Sequence, residues 1–344
     1  MARRHRAAAL TENDLKHALA ALLLAASTCL CQAATALPGF AGNPEVVEFA
    51  RDLEQRHGFS ADLLLEQFTQ VRPNTKVLEL IKPPASPVQR SWERYRPRFL
   101  NERRINWGVQ FWQENQVSLA RARATYGVPE EIIVAIIGVE TEYGRNMGSF
   151  RVLEALATLA FYYPRRADFF RTELEQFLLL ARENDMDAVN VRGSFAGAIG
   201  IPQFMPGSQR RYAVDFDGDR KVDLYGSVDD AIGSVARFLE QHGWQAGQAV
   251  AVPARTRGEP ERSLIEAGIQ PTLKVADLAQ QGITASADPQ AVVTLVDLVS
   301  PGRATEYWLG FDNFYVITRY NRSSFYAMSV FQLAEEIRAR MPRQ

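Results

Sequence analysis

Cysteine is nearly absent: the 344 residues contain two, Cys29 and Cys31. Nothing beyond residue 31 can therefore form a disulfide, and a disulfide-stapled framework is excluded. Histidine is also scarce, with only His57 and His242 beyond residue 36. Two histidines so far apart in sequence make no convincing zinc site. Basic charge is not in excess, since 39 Lys/Arg face 40 Asp/Glu, a net charge of −1. Leaving out residues 1–36, with their four Lys/Arg and two Asp/Glu, turns this into 35 against 38, or −3. A nucleic-acid binder would be basic, so that class is excluded. The chain has no Gly-rich phosphate loop, no G-x-S-x-G elbow, no internal repeat and no low-complexity tract. No apolar run, Ala18–Ala26 included, is long enough to span a membrane. What remains is ordinary soluble composition, 47% hydrophobic and 23% charged.

The N-terminus has the three parts of a secretory signal. Arg3, Arg4 and Arg6 precede the apolar stretch Ala18–Ala26, and Ala34-Thr35-Ala36 is an A-x-A cleavage site before Leu37. Export to the periplasm is expected, with residues 1–36 removed. The alternative is an outer-membrane lipoprotein acylated at Cys29 or Cys31. Ala26-Ser27-Thr28-Cys29 lacks the leucine usual three residues before a lipidated cysteine, so soluble export is preferred.

Helical spacing runs through 45–57, 60–70 and 106–126, with a proline-containing link at 82–87. Pro164 opens another helix, with Phe170, Leu174, Phe177, Leu178 and Ala181 as its stripe. A further helix runs from about Asp230 to Gln241 and stops at Gly243. Residues 246–312 change character: 249–252 and 292–296 are β-like, with turn residues between. Phe314–Ile317 also reads as β-like. Helix returns at the C-terminus on Val330, Leu333, Ala334, Ile337 and Met341. The expected class is mainly α (α+β), with a small antiparallel β domain inserted late.

Glu140 is the most informative residue. It ends the run Ile132–Glu140, and positions 133, 136, 137 and 140 share a helical face: three isoleucines and one glutamate. Pro129 suits the helix start and Gly144 the position after its last turn. A carboxyl among apolar side chains has its charged form disfavoured, which makes it a general-acid candidate. Glu142 lies about 200° around the helix and does not share that face. A glutamate here also fits an exposed helix end or an arginine partner.

Three other stretches stand out. Residues 192–206, R-G-S-F-A-G-A-I-G-I-P-Q-F-M-P, combine small residues with Ser194, Gln203, Phe204 and Met205. That mixture suits a sugar site, and equally a tightly packed helix–turn–helix. Asp215-Phe216-Asp217-Gly218-Asp219-Arg220-Lys221-Val222-Asp223 opens like an EF-hand loop. Arg220 stands where that loop has glycine, and Gly226 where it has its closing acid. An acidic turn is the alternative to calcium. Tyr320–Tyr326 is dense in Tyr, Asn and Ser and suits a sugar-contacting edge.

Taken in order, A-I-I-G-V-E-T-E-Y-G at 135–144, Y-P-R-R at 163–166, G-S-F-A-G-A-I-G-I-P-Q-F-M-P at 193–206, D-F-D-G-D at 215–219, D-A-I-G-S-V-A at 230–236, H-G-W at 242–244 and Y-N-R-S at 320–323 resemble the lytic murein transglycosylase B family. The resemblance covers essentially the whole chain beyond residue 36. It implies a lysozyme-like helical core flanked by an N-terminal helical domain and a small β domain. The resulting division is 37–128, 129–245, 246–312 and a return to the core at 313–344. It implies cleavage of the β-1,4 bond between N-acetylmuramic acid and N-acetylglucosamine in peptidoglycan, leaving a 1,6-anhydro ring, with Glu140 as acid/base. It implies saccharide contacts at Tyr95, Arg165, Arg166, Ser194, Gln203, Phe204, Tyr320, Asn321 and Tyr326. It also implies a structural calcium ion at Asp215, Asp217, Asp219, Lys221 and Asp230, and no cofactor for catalysis. Phe238 stands where a tyrosine is expected in the cleft. Glycan strands are the expected partner, other cell-wall enzymes a further candidate, and a membrane only if the chain is lipidated. A non-catalytic peptidoglycan-binding protein would not need Glu140, and a water-adding muramidase would need a second acid.

Overall fold

Short polar residues start several of the helices. In the structure, a computed structural model, residues 37–83 and 89–342 are described. The expected signal segment with Cys29 and Cys31, and most of the 82–87 link, lie outside the described residues. Asn43 caps Pro44–His57, Ser60 caps Ala61–Thr69, Asn101 caps Glu102–Glu114, Ser227 caps Val228–Gln241 and Ser323 caps Ser324–Arg340. Each accepts a backbone N–H that would otherwise be unpaired in the first turn.

Gly39–Gln344 forms one unit with three apolar cores. One joins the first helices, through Phe40, Leu53 and Phe68, to Val152–Tyr162 and Ala167–Glu183, through Leu156, Phe170 and Phe177. The second surrounds Glu130–Thr141 with Glu102–Glu114, Val228–Gln241, Asp312–Tyr320 and Ser324–Arg340. Residues 37–128 are therefore shared between two cores rather than gathered on one.

Strands β1 (Phe150–Arg151) and β2 (Arg192–Gly193) pair antiparallel and bring the 193–206 stretch beside the end of the central helix. The late insert forms β3 (Ala251–Thr256), β4 (Leu273–Lys274), β5 (Ile283–Ala285), β6 (Val292–Leu298) and β7 (Glu306–Gly310). They make an antiparallel sheet in the order β4-β6-β7-β3-β5, with Leu309 opposite both Leu295 and Val252. Its core holds Leu264, Leu278, Val293, Leu295 and Leu309, as the composition change at 246–312 predicts.

Four local expectations are corrected. Phe314–Ile317 is not β but part of the helix Asp312–Tyr320. Its β-branched and aromatic residues bury Phe314, Ile317 and Thr318 at helical spacing, and packing overrides β propensity. The 106–126 segment is two helices, Glu102–Glu114 and Gln116–Tyr126, broken at Asn115. Pro164 starts a 3-10 turn, and the helix proper begins at Ala167. Met341 lies past the end of Ser324–Arg340.

Candidate active site

The helix Glu130–Thr141 is apolar all round, not along one stripe: every residue from Ile132 to Val139 is buried. Such a helix belongs at the centre of a core. Its first turn carries Glu130 and Glu131, favourable near the positive end of the helix dipole. Its other end departs from expectation. Thr141 is the last helical residue, and Glu142, Tyr143 and Gly144 are all left-handed, at φ 52°, 64° and 81°. Two non-glycine residues in that region are costly and persist only where their surroundings hold them.

Arg104 does most of the holding, and sequence reasoning missed it. It is 7% exposed and donates to the Gly138 carbonyl, to the Arg98 carbonyl at 3.3 Å and to Glu142 at 2.8 Å. The Tyr143 hydroxyl folds back to donate to the Arg104 carbonyl at 2.9 Å. A Cβ on Gly138 or on Gly108 would sit 2.5 Å from that hydroxyl, which is why both positions are bare. A signal did exist: Arg104 falls in the buried stripe Arg104, Ile105, Gly108, Phe111 once the helix is started at Glu102. Thr141 was missed too. Its hydroxyl donates to the Ile201 carbonyl at 2.8 Å and accepts from the Gly144 N–H at 2.9 Å, tying the helix end to the 193–206 loop.

Glu140 occupies the last turn, partly exposed. The Tyr326 hydroxyl, itself 3% exposed, donates to its Oε1 at 2.6 Å. Burial pushes the Glu140 carboxyl up to about 7, and the Tyr326 hydrogen bond opposes that rise. Among the described residues no charged group enters this balance. Two more phenols sense the same carboxylate. Tyr320 is pushed well up by burial and then by Glu140, and Tyr95 is raised by burial, lowered by Arg98 and raised by Glu140. One carboxyl that can hold a proton near neutral pH, ringed by Tyr95, Tyr320 and Tyr326, is fitted for general acid–base work.

The remaining candidates are placed unevenly. Tyr320 donates to the Pro202 carbonyl at 2.6 Å, so the 193–206 loop is tied to the tyrosines as well as to Thr141. Gln203 is left-handed at φ 52° and uses its amide N–H groups on the Met147 and Gly200 carbonyls. Ser194 accepts backbone N–H groups from Ala196 and Ala198 and is half-buried. Phe204 is 2% exposed, so its ring is no open sugar platform; it packs on Phe238 and Tyr320. Phe238 is buried as well, 4.8 Å from the Tyr320 ring. Asn321 is exposed beyond the Asp312–Tyr320 helix. Arg165 and Arg166 sit exposed on the 3-10 turn, Arg166 over the Phe169 ring at 4.2 Å. A separate concavity of about 990 Å³, lined by Trp92, Trp308 and Phe331, includes none of these residues.

The acidic loop gathers three of its five predicted ligands. Carboxylate oxygens of Asp215, Asp217 and Asp230 lie within 4.8 Å of one another. Asp230 is 1% exposed and accepts N–H groups from Phe216, Asp217 and Asp223. Asp219 is exposed and outside that cluster, with Oδ1 accepting the Lys221 N–H; Lys221 is exposed too. Arg220 takes φ 72°, the left-handed backbone for which the loop elsewhere uses glycine. Three carboxylates this close suit a hard divalent cation.

The match to known proteins now decides the family. Residues 41–335 match the family described as Transglycosylase SLT domain. The chain belongs to that family. Membrane-bound lytic murein transglycosylase B of Escherichia coli is 44% identical over 313 residues, covering 87% of this chain and 84% of the relative. The solved soluble lytic transglycosylase SltB1 from Pseudomonas aeruginosa is 49% identical, with TM-score 0.81 over 86% of this chain and 99% of that one. Escherichia coli lytic transglycosylase Slt35, solved in complex with calcium, is 43% identical, with TM-score 0.80 over 87% of this chain and 94% of that one. This member of the SLT family is a peptidoglycan lytic transglycosylase, a glycosidic-bond lyase with a lysozyme-like fold.

Proposed function

We propose that Glu140 performs both proton transfers of the lytic reaction alone. The observation that carries this reading is a carboxyl held up to about 7 with, among the described residues, no charged partner. Glycosidases that add water use two carboxylates. Here the protonated Glu140 gives its proton to the oxygen leaving from the muramic acid C1. The carboxylate then takes the proton of the C6 hydroxyl of that sugar, and O6 closes onto C1. Atoms balance without water, and the product is a 1,6-anhydro ring. Tyr326, donating to Glu140 at 2.6 Å, orients the carboxyl and steadies its charged form. Tyr95, Tyr320, Ser194, Gln203 and Asn321 contact the glycan, while Phe204 and Phe238 support Tyr320 from behind. Arg165 and Arg166 contact the strand farther from the scissile bond. Mass spectrometry of digested peptidoglycan tests the reading: anhydro ends are expected, and reducing ends heavier by one water would overturn it.

The acidic loop holds a structural calcium ion, through Asp215, Asp217 and Asp230, with Asp219 and Lys221 completing the set. Support comes from the closeness of three carboxylates and from the calcium complex of Slt35. Ligand binding to the folded state stabilises it by mass action. Calcium should raise the melting temperature by several degrees without being needed for turnover, and Asp217→Ala should remove that rise. A melting temperature indifferent to calcium would leave the loop an acidic turn.

The protein works in the periplasm after export, starting near Leu37. No described helix is long and apolar enough to cross a membrane, and the Escherichia coli relative is named membrane-bound. Mass analysis of the N-terminus after fractionation separates a soluble form from one acylated at Cys29 or Cys31.

A further inference from the structure

Arginine is concentrated where the chain passes the catalytic carboxyl. Residues 93–104 contain Arg94, Arg96, Arg98, Arg103 and Arg104 against Glu93 and Glu102, in a chain of net charge −1. Two of these are committed internally: Arg96 donates to Gln332, and Arg104 clamps the helix end. Arg98 and Arg103 are exposed, and exposed Arg145 joins them just after the left-handed turn.

These three guanidiniums rest on aromatic faces. Those of Arg145 and Arg103 lie 4.4 and 5.0 Å from the Trp107 ring centroid, and that of Arg98 lies 6.0 Å from the Tyr95 ring. A guanidinium held over a ring still has N–H groups to offer a ligand. Stacking also restricts a flexible side chain before any ligand arrives, which lowers the entropic cost of binding. Local compensation is thin. Glu142 is already taken by Arg104 at 2.8 Å and lies 3.9 Å from Arg103, and Arg145 donates to the Glu142 backbone carbonyl at 3.2 Å. Arg98 borders the cleft, because Tyr95 beneath it is one of the phenols that sense Glu140, and Arg103 and Arg145 meet Glu142 just past the end of the helix that carries Glu140.

We infer that Arg98, Arg103 and Arg145, braced on Tyr95 and Trp107, form a subsite for the carboxylates of the peptide stems carried by the glycan strand. The inference rests on the lytic reading above. The amino sugars of an intact strand are neutral N-acetyl sugars, so its anionic groups are on the peptides. Planar forks of N–H donors match carboxylates bidentately. The subsite would therefore favour strands whose stem-peptide carboxylates are free over strands in which they are blocked.

The test compares native strands with strands whose carboxylates have been converted to amides. For wild-type protein, amidation should raise KM about tenfold with kcat little changed. Arg103→Gln with Arg145→Gln should raise KM about tenfold on native strands and leave it unchanged on amidated ones. Equal losses on both substrates, or no loss on either, would overturn the inference. A second measurement does not depend on turnover. A soluble stem tetrapeptide should change the fluorescence of Trp107, assigned with Trp107→Phe, and the change should weaken as salt rises. No fluorescence change in the folded wild type would also overturn it. If wild type bound the peptide but cleaved no strand, the lytic reading would fail and this subsite would stand.

Discussion

Glu140→Gln is expected to lower turnover by about three to four orders of magnitude while the protein folds normally. In the proposed mechanism one group performs both proton transfers, each worth about 10²–10⁴ in rate, and the amide can do neither. Turnover within tenfold of wild type would remove Glu140 from the mechanism. The pH dependence follows from the carboxyl being held at about 7. The acid form is present below that value, so kcat/KM should fall as pH rises through it. Tyr326→Phe removes the hydrogen bond that holds the value down, so the alkaline limb should move up, by about one pH unit at most. Stability has the same origin. The folded-state value lies above the ordinary 4.5, so the folded protein binds the proton more tightly than the unfolded chain. That contribution is complete below pH 4.5 and is lost as pH rises through 7. Glu140→Gln carries no such dependence. It should therefore be more stable than wild type at pH 8, by about 3 kcal/mol, and similar at pH 4. Urea denaturation at both values checks the sign.

Arg104→Ala should be among the most destabilising single changes in the protein, at about 3 kcal/mol. It leaves the Gly138 carbonyl without its side-chain donor and Glu142 without its close cation. Breaking a buried pair from one side costs about 3–5 kcal/mol. The lower end applies because the Glu142 side chain is 26% exposed. Turnover should drop about tenfold as well, because the helix end that carries Glu140 is no longer pinned. Combining Arg104→Ala with Glu142→Gln should recover part of the loss, since the stranded carboxylate is then gone. A cost below about 1 kcal/mol in urea denaturation would show that the left-handed turn holds itself.

Much of this was legible in the chain before folding. Glu140 stood out because it shares a helical face with three isoleucines, and the ordered motifs around it favoured a general acid over an exposed helix end. The inserted sheet showed in the change of composition after Trp244. The apolar spacing placed two helix starts, near 45 and 60, within a residue of Pro44 and Ala61. The ordered motifs carried the family resemblance.

Other features depended on residues distant in sequence. Phe314–Ile317 favours strand by composition and becomes helix because its buried side chains pack at helical spacing. Glu142 and Tyr143 take left-handed backbone because Arg104 and the bare Gly108 and Gly138 receive them. Phe204 is a buried support instead of a sugar surface because Phe238 and Tyr320 enclose it. By itself, then, the sequence singled out the candidate proton carrier, several of the helices and the place where the sheet is inserted, since those depend on local pattern and chemistry. Only the tertiary structure decided that Tyr326, 186 positions away, donates to Glu140, and that Arg104 locks its helix. A pKa and a strained turn are set by the solvent and partners that packing takes away or supplies, and packing is long-range.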